Sequence, residues 1–212
     1  MTARATDGAG RPGSARTAFV QGVRLAGWAE RFSAAHGGFR LSDDDDGVRL
    51  LASDGASALL QPPWPADGRP GRGAGPLERL ASIASQPRRL SLLLVRRGGY
   101  GIAVASEGVI YASKAGSRYV QSRTAAGGQS QQLVQAVAIQ ARQVFSGQSF
   151  EYVVPGGDRT LVDLVLEEPV LKDYARLPRL AYLDVPDPRS AVLKKAAADA
   201  CAVRIQVTDR QA

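Results

Sequence analysis

Between Leu25 and His36 the apolar residues Leu25, Trp28, Ala29 and Phe32 recur at spacings of three and four, the period of a helix buried along one face. Gly37-Gly38 follows at once and predicts the end of that helix. The period then changes. Phe39–Ser42, Val48–Ala52 and Ser57–Gln61 are short strand-like runs that, with the helix, predict a small N-terminal α+β unit over 17–61. The first two runs are joined by Asp43-Asp44-Asp45-Asp46-Gly47. Clustered carboxylates raise the question of a cation site, but the trailing glycine fits an acidic hairpin turn better. Further on, Leu90–Arg96, Tyr100–Ala105 and Val109–Ser113 read as strands, with Gly98-Gly99 and Glu107-Gly108 as the turns of an antiparallel meander. The remainder alternates: a helix over about Gln131–Phe145, a strand at Phe150–Val154, a helix at Arg159–Glu168, a short segment at Val170–Tyr174, a strand at Leu180–Asp184, a helix at Ser190–Ala202 and a strand at Val203–Thr208.

Antiparallel strands followed by alternating helices and strands give the order of a ribonuclease-H-like mixed sheet with helices on both faces, in the α+β or α/β class. Two stretches lack any period. Residues 1–16 are rich in Gly, Ala and Arg and read as a disordered tail. Pro62 to Pro76 holds five prolines and four glycines, the composition of a linker. A helix near Leu77–Ser85 then opens a main domain over 77–212. At 212 residues the chain fits one sizeable domain, or a domain with a small attachment.

Composition narrows the chemistry. The longest largely apolar run, Leu90 to Val95, is far below the roughly 20 residues that span a bilayer, and no basic-then-apolar signal pattern stands near the start. A cytoplasmic protein away from membranes, and a monomer, is expected. A single Cys, Cys201, rules out an internal disulfide framework, and with a single His, His36, it rules out a Cys/His zinc site. His36 stands at a helix end, where capping or a dipole contact explains it better than catalysis. Cys201 reads as a small core residue.

The net charge of +7 is unevenly spread. Residues 1–16 carry +2, residues 17–76 carry −1, residues 77–130 carry +6, and residues 131–212 balance ten cations against ten carboxylates. Arg outnumbers Lys by 23 to 4, which favours planar, bidentate contacts to phosphate. The natural partner is a polyanion.

The basic segment leads into Arg123–Gln132, which reads RTAAGGQSQQ. Gly127 and Gly128 strip the backbone of side-chain atoms and let it enter a narrow space. Gln129, delivered there, offers donors and an acceptor but never a charge. That suits placing a water against an ester better than holding a metal or forming a covalent intermediate. The tripeptide alone is weak, since a chain of this composition would contain it roughly 0.15 times by chance. A ribonuclease-H-like nuclease would need carboxylates on the core strands to hold two metal ions. The meander has none but Glu107, which sits at a turn, so that chemistry is excluded and no metal or cofactor is expected.

Three motifs together, VRRGGY (Val95–Tyr100), YASKAGSRYV (Tyr111–Val120) and RTAAGGQSQQ, resemble the catalytic domain of the eukaryotic and archaeal class-1 peptide-release-factor family. They more closely resemble its branch in ribosome-associated quality control, whose bacterial members are described as peptidyl-tRNA hydrolases. The resemblance runs from about Leu77 to the C-terminus, and more loosely over the N-terminal unit with Trp28, Phe32 and His36-Gly37. It implies a Gly-Gly-Gln loop that enters the peptidyl-transferase centre of the large ribosomal subunit and promotes hydrolysis of the peptide–tRNA ester. On this chain Gly127 and Gly128 then permit the approach, and Gln129 orients the attacking water. The same resemblance marks Arg96, Arg97, Lys114, Arg118 and Arg123 as rRNA contacts or loop supports, with Tyr119 either beside them or in the core. Ser130, Gln131 and Gln132 are expected to cap the next helix or to touch RNA. One departure stands out: family members commonly continue with a basic aromatic run, whereas here no basic residue follows until Arg142. Besides ester hydrolysis, the readings left open are a non-catalytic ribosome- or RNA-binding module, cleavage in the tRNA acceptor end, and a plain Gly-rich turn.

Overall fold

The run Leu90–Val95 is apolar at nearly every position because its strand is covered on both faces. In the computed structural model, which describes residues 15–65, 67–117 and 126–209, Leu93 and Val95 join one core cluster, while Leu90, Leu92 and Leu94 join another on the opposite side. A strand with one wet face would alternate polar and apolar residues; a strand buried on both does not.

In chain order the elements are β1 (Ala15–Val20), α1 (Leu25–His36), β2 (Phe39–Asp44), β3 (Gly47–Ala52), β4 (Ser57–Gln61), α2 (Pro76–Ala84), β5 (Arg89–Arg96), β6 (Gly99–Ser106), β7 (Val109–Gly116), α3 (Ala126–Phe145), β8 (Tyr152–Gly157), α4 (Arg159–Glu167), α5 (Lys172–Ala175), α6 (Ser190–Ala200) and β9 (Val203–Thr208). They build two sheets. One has the order β7-β6-β5-β8, with β5 antiparallel to β6 and parallel to β8. The other, β1-β9-β4-β3-β2, is antiparallel throughout. The chain is thus a mixed α+β protein, in the class the pattern predicts.

The four-stranded sheet carries helices on both faces. On one, Val137, Ala141 and Phe145 of α3 and Val162, Val165 and Leu166 of α4 close over Ile102 and Val104. On the other, Ala196, Ala197 and Ala200 of α6 lie over Ala103 and Ala105. Small residues facing small residues let this helix approach closely. The five-stranded sheet buries Leu50, Ala58, Leu60, Val203 and Ile205 against α1 and α2, through Leu25, Phe32, Leu80 and Ala84. Each fully buried Leu or Phe is worth about 1.5–3 kcal/mol. Gly37 ends α1 in the left-handed conformation, φ 69°, as its position predicts. Asp45 and Asp46 form the β2–β3 turn, an acidic hairpin.

The last strand departs from expectation. β9 does not extend the four-stranded sheet that precedes it but inserts between β1 and β4, pairing Val203 with Val20 and Ile205 with Leu60. The N-terminal unit is therefore completed by the end of the chain. β1 has no predicted counterpart: Ala15 and Arg16, expected in the tail, are its first residues, and the rest of that expected tail lies outside the described residues.

The predicted strand Leu180–Asp184 reaches β8 only through isolated parallel bridges, Arg179 with Val153 and Leu183 with Gly156. Pro155 is the reason. The N–H and carbonyl of Val153 bond Pro178 and Leu180, so position 155 faces the same neighbour. Being proline, it has no N–H to continue the ladder. Its carbonyl still accepts from the Leu183 N–H at 2.9 Å.

Between β4 and α2 the Pro/Gly-rich segment forms neither helix nor strand among its described residues, yet it is a packed strap. Trp64 is buried, and its indole N–H donates to the Ile83 carbonyl at 3.0 Å. α3 starts at Ala126 rather than near Gln131, which changes the setting of the Gly-Gly-Gln motif.

Candidate functional site

Strand register places one end of the four-stranded sheet in a single row. Gly116 lies opposite Tyr100, Tyr100 opposite Val95, and Val95 beside Gly157. Just beyond this row β5 turns into β6 through Arg97 and Gly98, and β7 gives way to Ser117. The parallel strands β5 and β8 both end here, and open α/β sheets leave their ligand crevices at such carboxyl ends. A Cβ on Gly116 would stand 2.8 Å from the Tyr100 ring, so only glycine lets that ring lie against β7. Tyr100 in turn packs on the core beneath α3.

Residues 118–125 lie outside the described residues, and with them the expected loop supports Arg118, Tyr119 and Arg123. From Ala126 the chain is α3, with Gly127, Gly128 and Gln129 in its first turn. Ser130, Gln131 and Gln132 follow in the second turn. They sit inside the helix and do not cap it, because a cap precedes the first turn. Gln131 and Gln132 are exposed. Leu133 and Val134 are buried and open a seam through Val137, Ala138, Ala141 and Phe145 that anchors the helix to the sheet. The first backbone N–H groups of any helix lack an intrahelical acceptor, and that end carries partial positive charge.

The predicted cations separate by environment. Lys114 is exposed on β7, opposite Ile102, and Arg97 is exposed in the β5–β6 turn. Arg96 is half-buried; its Nε donates to the Val185 carbonyl at 2.6 Å and its Nη2 to Asp184 at 3.2 Å, tying the 184–185 segment to the sheet end. Arg89 lies over the exposed Tyr111 ring at 5.4 Å. Arg88 behaves differently. It is 1% exposed and donates to both Asp67 oxygens, to Tyr152 and to Gln86. One charge of the basic segment is thus spent inside the protein, fastening the strap. Charge counting could not reveal this, because it registers arginines and not their burial.

The same cluster shifts its neighbours. Hydrogen bonds from Arg88 and then Tyr152 hold the Asp67 carboxyl well below the usual carboxylate range. Burial, then the bond to Asp67, pushes the Tyr152 phenol up to about 12. Elsewhere, His36 Nδ1 stands 2.8 Å from Asp54 at the end of α1, and its ring packs on Phe32. Cys201 is buried, and desolvation raises its thiol pKa, the opposite of an activated nucleophile. Among the described residues no three His, Cys, Asp or Glu side chains gather to hold a metal ion, and no helix is long and apolar enough to cross a membrane.

The sequence model of one family, described as Actinobacteria/chloroflexi VLRF1 release factor, matches residues 88–206, more than half of the 212-residue chain. The chain belongs to that family. The VLRF1 match opens at Arg88 and closes within β9, so it takes in the four-stranded sheet, its covering helices and the strand that completes the five-stranded sheet. It does not reach the N-terminal unit, to which the resemblance of the motifs extended only loosely. No curated protein matches the chain. Among solved structures, one titled "Vms1 mitochondrial localization core" is similar at 12% identity, covering 88% of this chain and 84% of that one, with a TM-score of 0.40. A likeness that shallow carries no argument about function. The VLRF1 membership bears out the release-factor resemblance drawn from the three motifs.

Proposed function

We propose that this VLRF1 release factor hydrolyses the peptide–tRNA ester of stalled nascent chains on the large ribosomal subunit. The observation that carries the reading is the motif's setting: in a release-factor chain, Gly127-Gly128-Gln129 stands in the first turn of a helix whose next residues, Gln131 and Gln132, face solvent. A motif followed by the exposed Gln131 and Gln132, on a helix anchored through Leu133 and Val134, is free to enter a cavity on a partner. The strand order β7-β6-β5-β8, with Arg179–Leu183 bridged to the far side of β8, further supports a ribonuclease-H-like core.

In this reading Gly127 and Gly128 allow the backbone to approach, and the Gln129 carboxamide orients the attacking water. A carboxamide is no base near neutral pH, so the work is positioning together with preorganised dipoles. Free backbone N–H groups of the first turn stabilise the tetrahedral oxyanion. The reaction calls for no cofactor. Lys114, Arg97, Arg118 and Arg123 meet rRNA phosphates beside the loop, while Arg96 serves chiefly to hold the 184–185 segment. The partners are then the large subunit and peptidyl-tRNA, met by a monomer in the cytoplasm.

The test is release of labelled peptide from peptidyl-tRNA on purified large subunits. Gln129→Ala is expected to lower release by about a hundredfold, the scale of a lost oxyanion or positioning group, with an unchanged melting temperature. Equal release by variant and wild type would refute the role of Gln129. The missing basic run between Gln132 and Arg142 favours, as a second reading, a module that binds without hydrolysing. Salt-sensitive co-sedimentation with subunits, without release by either protein, would select that reading. Shortened tRNA among the products would instead indicate cleavage at the acceptor end.

A further inference from the structure

A cleft separates the solvent-side face of the five-stranded sheet from the irregular segment beside β8. Its floor is a register row: Phe19 on β1 lies opposite Arg204 on β9, which lies opposite Gln61 on β4. Its far wall is Tyr182 and Leu183, and its open end is Arg159, the first residue of α4. Two lobes of about 310 and about 600 Å³ share Phe19, Tyr182, Leu183, Asp199 and Arg204, a size suited to a small organic ligand.

Charge in the cleft is unevenly satisfied. Its carboxylates Asp199 and Asp184 are engaged by Lys195 and Arg96, and Arg179 is engaged by Asp163, while Asp46 lies at the outer rim in the β2–β3 turn. Arg159 and Arg204 have no carboxylate partner among the described residues. The Arg159 guanidinium instead lies 4.3 Å over the Tyr182 ring. The Tyr182 hydroxyl and the Arg204 Nε are buried without a hydrogen-bond partner, the only such side-chain atoms among the described residues. Native interiors rarely leave such groups unpaired.

We infer that this cleft binds the phosphate of a nucleotide, through the guanidinium groups of Arg159 and Arg204, with Phe19 and Tyr182 as the aromatic surfaces beside it. Two unpaired guanidiniums match the oxygens of a phosphate, and an aromatic lining gives a base something to stack on. The phosphate can come from a free nucleotide or from an RNA backbone. The inference is independent of ester hydrolysis, since Phe19, Arg159, Tyr182 and Arg204 are none of the residues to which that reaction is assigned.

Calorimetric titration of the full chain with adenosine 5′-monophosphate, with adenosine, and with a short oligoadenylate lacking a terminal phosphate tests it. Saturable binding of either phosphate-bearing probe, with adenosine at least about tenfold weaker, is expected. Preference for the monophosphate identifies a free nucleotide, and preference for the oligomer identifies RNA. Arg159→Gln and Arg204→Gln should each weaken binding by about tenfold, and Tyr182→Phe by less. Because Arg159 is exposed at a helix start, its variant keeps the fold even where the Arg204 variant does not. No saturable binding of either phosphate probe, or unchanged affinity in Arg159→Gln, would overturn the assignment.

Discussion

Replacing Arg88 with methionine measures how firmly the strap is fastened. The Arg88 side chain is 0% exposed, whereas that of its partner Asp67 is 30% exposed. Beyond the two Asp67 oxygens, the guanidinium reaches the Tyr152 hydroxyl at 2.7 Å and Gln86 Oε1 at 2.6 Å, with the Trp64 and Tyr152 rings at 5.5 and 5.7 Å. Removing one partner of a buried ion pair costs about 3–5 kcal/mol, most of it from the charge left behind. Here that charge is Asp67, which water can reach, so solvent recovers part of the loss. Methionine also refills much of the apolar space against Trp64. The lower end, about 3 kcal/mol, therefore applies. In a chain of this length each kcal/mol lowers Tm by about 2–4 °C, which gives a fall of roughly 6–12 °C by scanning calorimetry. Arg88→Lys should fall part of the way, because an ammonium lacks the planar fork that serves Asp67, Tyr152 and Gln86 at once. A methionine variant melting within about 2 °C of wild type would show that the strap is held by Trp64 packing alone, and the reasoning would fail.

Acid stability follows from the same cluster. Asp67 titrates below its ordinary 3.8 in the folded protein, so the stability it contributes is present above about pH 4 and is lost as the pH falls toward the lowered folded value. Asp67→Asn should accordingly flatten the decline of Tm between about pH 5 and pH 2, and an equally steep decline would assign acid lability to other carboxylates. At the sheet end, Gly116→Val forces a side chain into the Tyr100 ring. A loss of about 1–3 kcal/mol is expected, with peptide release reduced more than subunit binding. Full release in a destabilised Gly116 variant would show that the end of β7 does not position the loop.

Legibility followed the range of the interactions involved. α1, β4 and the meander declare themselves because the features that make them are local: a helical period closed by glycines, and strand runs closed by turns at Gly98, where Arg97-Gly98 turns rather than the expected Gly98-Gly99, and at Glu107-Gly108. The candidate motif was legible in the same way, since a Gly-Gly-Gln among small residues is a string that can be read without coordinates. Its setting was not. The motif looks like a loop because Gly127 and Gly128 are poor helix formers, yet α3 begins at Ala126, where the buried seam from Leu133 onward stabilises the whole helix. Arg96 and Arg88 illustrate the converse, two arginines counted alike that the fold sends to different tasks.

From the residues alone came most of the elements, the mixed class, the basic approach to the motif and the release-factor kinship, all carried by neighbours along the chain. Only the folded molecule showed that β9 completes the N-terminal sheet, that the Pro/Gly segment is a strap pinned by a buried arginine, and that Pro155 breaks the ladder beside β8. Alternation at period two marks a residue run as a strand but leaves its partner undetermined. The partner is chosen by which apolar faces can be buried together, and for Val203 and Ile205 those faces belong to Val20 and Leu60, more than 140 positions earlier in the sequence.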